Sequence, residues 1–114
     1  MPTWKALVRA YEEGMLRAVG VSNFYPEHME ACAQETGVMP MVNQIEMHPY
    51  LVQDEIVEYC KEHHVFPIAW SPFAAAGESR KDSKTKKEAN ETPLESPLKD
   101  PVIAEIAQNH QKTP

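Results

Sequence analysis

Long apolar runs are missing from this sequence. No stretch of Ala, Val, Ile, Leu, Met, Phe, Trp, Tyr or Cys exceeds four residues, whereas a membrane-spanning helix needs about 20. The N-terminus, MPTWKALVRAYEEG, has neither the apolar centre nor the small-residue cleavage site of a secretory leader. Basic charge is scarce as well. Eleven Lys and Arg stand against 17 Asp and Glu, a net charge of −6, which argues against a general nucleic-acid or membrane-surface binder. Cysteine is nearly absent. Cys32 and Cys60 share no CxxC spacing, and two such residues make no disulfide framework. These absences leave a soluble, cytoplasmic protein with reduced thiols. An apolar content of 42% is enough for a packed core, and 114 residues allow one ordinary domain.

What is present follows a repeating order. Thr3 can cap a helix whose apolar residues Trp4, Leu7, Val8 and Tyr11 recur at helical spacing, with Gly14 as its stop. Ala18-Val19-Gly20-Val21 is a short run of small and β-branched residues, read as a buried strand ending at Ser22-Asn23-Phe24. Pro26 opens a second helix, EHMEACAQET, which Gly37 closes. Residues 41–46 (MVNQIE) read as a second strand, broken by His48-Pro49-Tyr50. The stretch DEIVEYCKEHH is a third helix with Ile56, Tyr59, Cys60 and His63 on one face. Residues 65–70 (VFPIAW) follow as a third strand, with Pro67 its weak point. Asp100 caps and Pro101 begins a fourth helix, PVIAEIAQNH. Helices alternating with short apolar strands predict an α/β fold of parallel βαβ units. Residues 74–99 interrupt that order. The segment shows neither period, and its run Arg80, Lys81, Lys84, Lys86 and Lys87 supplies five of the eleven basic residues. It is expected to be a mobile, lid-like loop.

Parallel α/β folds bind ligands at the carboxyl ends of their strands. The predicted ends carry Ser22-Asn23, Gln44 and Trp70-Ser71. Asn and Gln amides both donate and accept, which suits a ligand bearing a carboxamide. A Trp face suits a flat heteroaromatic ring. Together they would fit a nicotinamide, although polar residues also end strands simply because loops begin there. The remaining reactive side chains read as structural. His48 sits in a strand-breaking HPY turn, and Glu46 has no identifiable partner carboxylate. His63 and His64 point different ways on a helix with no third ligand nearby, so no metal site is expected. Cys32 and Cys60 are expected to pack as small hydrophobes.

Taken in order, the motifs resemble one family. Leu7, nine residues, then Arg17-Ala-Val-Gly-Val-Ser-Asn-Phe24 is similar to a signature of the aldo-keto reductases. NQIEMHPYL (Asn43 to Leu51), AWSPF (Ala69 to Phe73) and DPVIAEIAQNHQKTP (from Asp100) resemble further family segments in the same order. The resemblance implies part of a (β/α)8 barrel over residues 1–114, about three parallel strands with flanking helices. It also implies NADPH as cofactor and a small aldehyde or ketone as substrate. Ser22 and Asn23 would hydrogen-bond the nicotinamide carboxamide, with Gln44 on its other side. Trp70 stands where the family has a tyrosine stacked on the ring, keeping the π face and losing the hydroxyl. Ser71, Pro72 and Phe73 would begin the loop along the pyrophosphate, and the segment beyond would fold over the cofactor. The family's catalytic Asp, Tyr, Lys and His lie on earlier strands, and its Lys-Ser pair for the 2′-phosphate on a later one. The chain is therefore expected to lack catalytic groups of its own. A non-catalytic nucleotide-binding or regulatory module, or an interaction fragment, is the alternative.

Overall fold

The computed structural model describes residues 1–74 and 96–114. Its elements run α1 (Pro2–Glu12), β1 (Gly20–Ser22), α2 (Pro26–Thr36), β2 (Val42–Glu46), α3 (Asp54–Glu62), β3 (Phe66–Trp70), a 3-10 turn at Pro97–Lys99 and α4 (Pro101–Asn109). The strands form one parallel sheet in the order β1-β2-β3. Gly20 is in register with Val42, and Ser22 with Gln44. Gln44 is in register with Ile68, and Glu46 with Trp70. Among the described residues no helix is long and apolar enough to cross a membrane.

The chemistry of the ends explains where the elements start and stop. The first helix starts at Pro2 rather than after a Thr3 cap, because proline's fixed φ suits a first helical turn and its missing N–H costs nothing there. Gly37 closes α2 at φ 74°, a left-handed position with open space around its Cα. The third helix stops at Glu62, two residues short of the expected end, and His64 at φ 57° turns the chain into β3. Val19 is buried and its carbonyl accepts the Met41 amide at 2.9 Å, but strand geometry begins only at Gly20. Among the described residues β3 is an edge strand, which accommodates Pro67. The Phe66 N–H points to the Met41 carbonyl, 2.8 Å away, so strand alternation places position 67 toward the outer edge. Asp100 caps α4 as expected, its Oδ1 accepting the Val102 N–H at 2.8 Å.

Helices cover one face of the sheet. Two apolar clusters lie there, one built on Met29, Ile45, Ile56, Cys60 and Val65, the other on Trp4, Val8, Val19 and Cys32. Val21 and Phe24 pack against both and join them. The two cysteines are free, buried thiols, packing as expected of small hydrophobes. Among the described residues nothing covers the opposite face, reached by alternation from Gly20, Gln44 and Ile68: Phe66 and Ile68 are 68% and 39% exposed. Of the loop expected at 74–99, residues 75–95 lie outside the described residues, while Pro97–Lys99 forms an ordered turn in which the Leu98 N–H donates to Ser96 Oγ.

Candidate functional site

The carboxyl ends of the three strands are tied together. The Gln44 backbone carbonyl accepts two hydrogen bonds from the end of β1, from the Asn23 N–H at 2.9 Å and the Ser22 hydroxyl at 2.9 Å. Asn23 itself sits at φ 57°, a left-handed conformation that Asn adopts more readily than most side chains. From the far side of the sheet, the Trp70 indole Nε1–H donates to Asn23 Oδ1 at 2.8 Å, so a residue of β3 reaches over β2 to the end of β1. Gln44 lies between them in the ladder, its side chain exposed. No group among the described residues is hydrogen-bonded to its amide. Of the residues singled out from the sequence, Ser22, Asn23, Gln44 and Trp70 are thus brought to one place. Ser71, Pro72 and Phe73 form the turn that leaves β3, with Ser71 at φ 48° and its carbonyl accepting the Ala74 N–H at 2.8 Å. They are not drawn into that hydrogen-bonded group.

Sequence reasoning passed over Asn43. It is fully buried, with Nδ2 donating to the Phe24 carbonyl at 2.8 Å and Oδ1 accepting the Phe24 N–H at 3.3 Å. Both backbone groups of Phe24 are therefore held by one side chain, which fixes where Asn23 emerges. The signal was available: in Val42-Asn43-Gln44-Ile45, Asn43 occupies the helix-facing side shared with buried Ile45. A polar residue there needs partners of its own. Burial pushes the nearby Cys60 thiol up from its ordinary value, an effect the Asn43 amide partly offsets.

Other titratable groups lie near the strand ends. His48, whose side chain is only 6% exposed, places Nε2 3.5 Å from Glu46 Oε1 and sets its ring edge-on to Tyr50. Glu46 thus lies beside a histidine rather than a second carboxylate, and among the described residues the buried Nδ1 of His48 has no hydrogen-bond partner. The Tyr50 hydroxyl donates to Asp100 Oδ2 at 2.7 Å. That bond first, and the Val102 amide second, hold the Asp100 carboxyl below the usual carboxylate range. The start of α4 is thereby pinned to the loop after β2. Tyr59, on α3, has its pKa pushed up by burial and by the Glu30 carboxylate beside its hydroxyl. Among the described residues, no group of three or more His, Cys, Asp or Glu could hold a metal.

Known proteins resemble this chain in sequence and fold. The Aldo/keto reductase family matches residues 1–114. The chain is 39% identical over 112 residues to a 9,11-endoperoxide prostaglandin H2 reductase of Trypanosoma cruzi, covering 98% of this chain and 34% of that protein. It is 47% identical over 71 residues to a glyoxal reductase of Bacillus subtilis, covering 62% of this chain and 26% of the relative. The crystal structure of a Bombyx mori aldo-keto reductase in complex with NADP superposes with a TM-score of 0.76 at 25% identity, over 97% of this chain and 33% of that one. The chain thus spans about a third of the length of relatives that it matches nearly end to end. Its three parallel strands with flanking helices are part of the barrel of those proteins. With every described element accounted for by that match, the chain belongs to the aldo/keto reductase family.

Proposed function

We infer that this chain supplies the nicotinamide-binding strand ends of an NADPH-dependent reductase of small aldehydes and ketones in the cytoplasm. The observation that carries the reading is the hydrogen-bonded convergence of Ser22, Asn23 and Trp70 at the strand ends, tied through the Gln44 backbone carbonyl, with the Gln44 side chain exposed. A nicotinamide offers a flat ring and a carboxamide, which needs both a donor and an acceptor. The Gln44 amide presents both. Asn23 keeps Nδ2–H, because its oxygen is taken by the indole. The Ser22 hydroxyl donates its hydrogen bond to the Gln44 carbonyl and keeps oxygen lone pairs. Trp70 is half-buried, leaving part of its ring open to stacking. The residues present fit the group, and Ser71, Pro72 and Phe73 would lead along its pyrophosphate. When bound, NADPH supplies a hydride. This chain's own residues hold and orient the ring.

Carbonyl reduction also needs an acid for the developing alkoxide. None of the four residues is one; the hydroxyls of Tyr50 and Tyr59 are engaged by Asp100 and Glu30, Tyr11 lies on α1, and Tyr25 has no lysine placed by sequence to lower its pKa. Reduction is therefore a property of the complete barrel, and the glyoxal reductase among the similar proteins supports small carbonyls as its substrates.

Titrating NADPH into the full chain while following tryptophan fluorescence tests the reading. Saturable quenching is expected from Trp70, retained in Trp4→Phe and lost in Trp70→Phe. Gln44→Ala is expected to weaken binding about 2- to 10-fold, the worth of one hydrogen bond. Adding glyoxal is expected to give no NADPH oxidation. Quenching that survives Trp70→Phe, or affinity indifferent to Gln44→Ala, overturns the placement.

A further inference from the structure

The geometry points to a second task for Trp70, one that rests on the nicotinamide reading above: its indole N–H fixes which way round the Asn23 carboxamide sits, and makes Asn23 a hydrogen-bond donor toward the ligand. An asparagine amide can turn end for end at little cost when nothing selects its oxygen. An indole Nε1–H is a donor only. Its 2.8 Å contact with Asn23 therefore selects Oδ1 and leaves Nδ2–H for another partner. The backbone at Asn23 is already held, its N–H on the Gln44 carbonyl and the following residue clamped at both backbone groups by buried Asn43. Trp70 is anchored as the last residue of β3, its carbonyl accepting the Met47 N–H at 3.3 Å. With the backbone held, the side-chain amide is oriented by its own contact, and the indole selects its oxygen.

The chemistry selected is specific. A donor at Asn23 reads an acceptor on the ligand, which for a nicotinamide is the carbonyl oxygen and not the amino group of the carboxamide. A Phe or Tyr at position 70 would keep a ring face and carry no N–H. Trp70 acts here as a positioning residue, through Asn23.

Two measurements on the full chain test this. Without ligand, hydrogen exchange at the Trp70 indole N–H is compared between the wild type and Asn23→Ala. The Trp4 indole, bonded to Thr36 Oγ1 at 3.0 Å on the helix side, is the internal reference. Exchange about 2- to 10-fold slower in the wild type is expected, and equal rates overturn the lock. With NADPH, a double-mutant cycle separates the lock from stacking. Trp70→Phe is expected to weaken binding about 2- to 10-fold when Asn23 is present and not at all in Asn23→Ala. An equal loss in both backgrounds means that the ring acts alone, and overturns the proposal. Asn23→Asp keeps an oxygen for the indole and loses the donor, so slow indole exchange with impaired NADPH binding is expected. Wild-type affinity in that variant overturns the donor role. Failure of the wild type to bind NADPH overturns the nicotinamide reading and the donor role with it, while the lock itself stands or falls on the exchange rates.

Discussion

Asn43→Ala is the substitution that most directly tests how the strand ends are held. The side chain is fully buried and makes two hydrogen bonds to the backbone of Phe24. Removing it leaves a backbone donor and a backbone acceptor without partners, each at about 1–3 kcal/mol when buried. Phe24 is only half-buried, so water reaches part of the site and the lower end of that range applies. A loss of about 2–3 kcal/mol is expected, a large share of the about 5–15 kcal/mol typical of a whole domain. Urea unfolding followed by tryptophan fluorescence reads it, with the neighbouring Gln44→Ala as control. Gln44 is exposed and has no described side-chain partner, so its loss should change stability by less than about 0.5 kcal/mol. Asn43→Asp sharpens the test, since a carboxylate cannot donate to the Phe24 carbonyl whereas a protonated carboxyl can. Burial raises the pKa of the introduced group above about 3.9, so its stabilising contribution is present at low pH and lost as pH rises through the raised value. If Asn43→Ala costs under about 0.5 kcal/mol, or Asn43→Asp shows no pH dependence, the clamp reasoning is wrong.

Gly20→Ala tests the close approach of β1 to β2: a Cβ there would lie 2.7 Å from the Val42 carbonyl oxygen. A loss of about 1–3 kcal/mol is expected by denaturant melt, and a neutral result would mean that β1 shifts freely. Gly37→Ala meets open space at φ 74°, so backbone strain alone should cost about 1–2 kcal/mol, and a loss well above that would reveal a packing contact. The Asp100 carboxyl is lowered by the Tyr50 hydroxyl, so its link to α4 is present above the ordinary value of 3.8 and lost only as pH falls through the lowered one. The Val102 amide shift should therefore titrate with a midpoint below 3.8. Tyr50→Phe should move that midpoint up, and a midpoint already above 3.8 in the wild type would refute the pairing.

The order of the elements was legible because each carries a local signal. Pro26 and Gly37 bound α2, Asp100 caps α4, and the small and β-branched residues near Val21 mark the start of the sheet. The errors fall where local signals compete or tertiary contacts decide. At the start of α1 two local signals compete, a Thr3 cap and a first-turn Pro2, and the proline prevails; nothing local ends α3 at Glu62 rather than at His64. That end is set by the chain having to enter β3 beside Met41. Residues Ser22, Asn23, Gln44 and Trp70 were found because strand ends are where parallel sheets present polar groups. What joins them was not legible. A hydrogen bond from Trp70 to Asn23 spans 47 positions and depends on the register of two ladders, which no sequence window contains.

Strand β2 shows why neighbouring residues carry such different information. Along Asn43-Gln44-Ile45 the side chains alternate between the helix-facing core and the opposite face. Asn43 is spent inside, holding Phe24, and Gln44 points out beside Trp70 and Ser22. Two adjacent amides with the same hydrogen-bonding repertoire are thus assigned opposite tasks by the pleat alone. A one-residue slip of β2 would exchange them, burying an unpartnered Gln44 and exposing Asn43. The register that keeps Asn43 on Phe24 is therefore the register that leaves Gln44 available at the strand ends. In this sheet the stability of the fold and the presentation of the site are set by the same ladder.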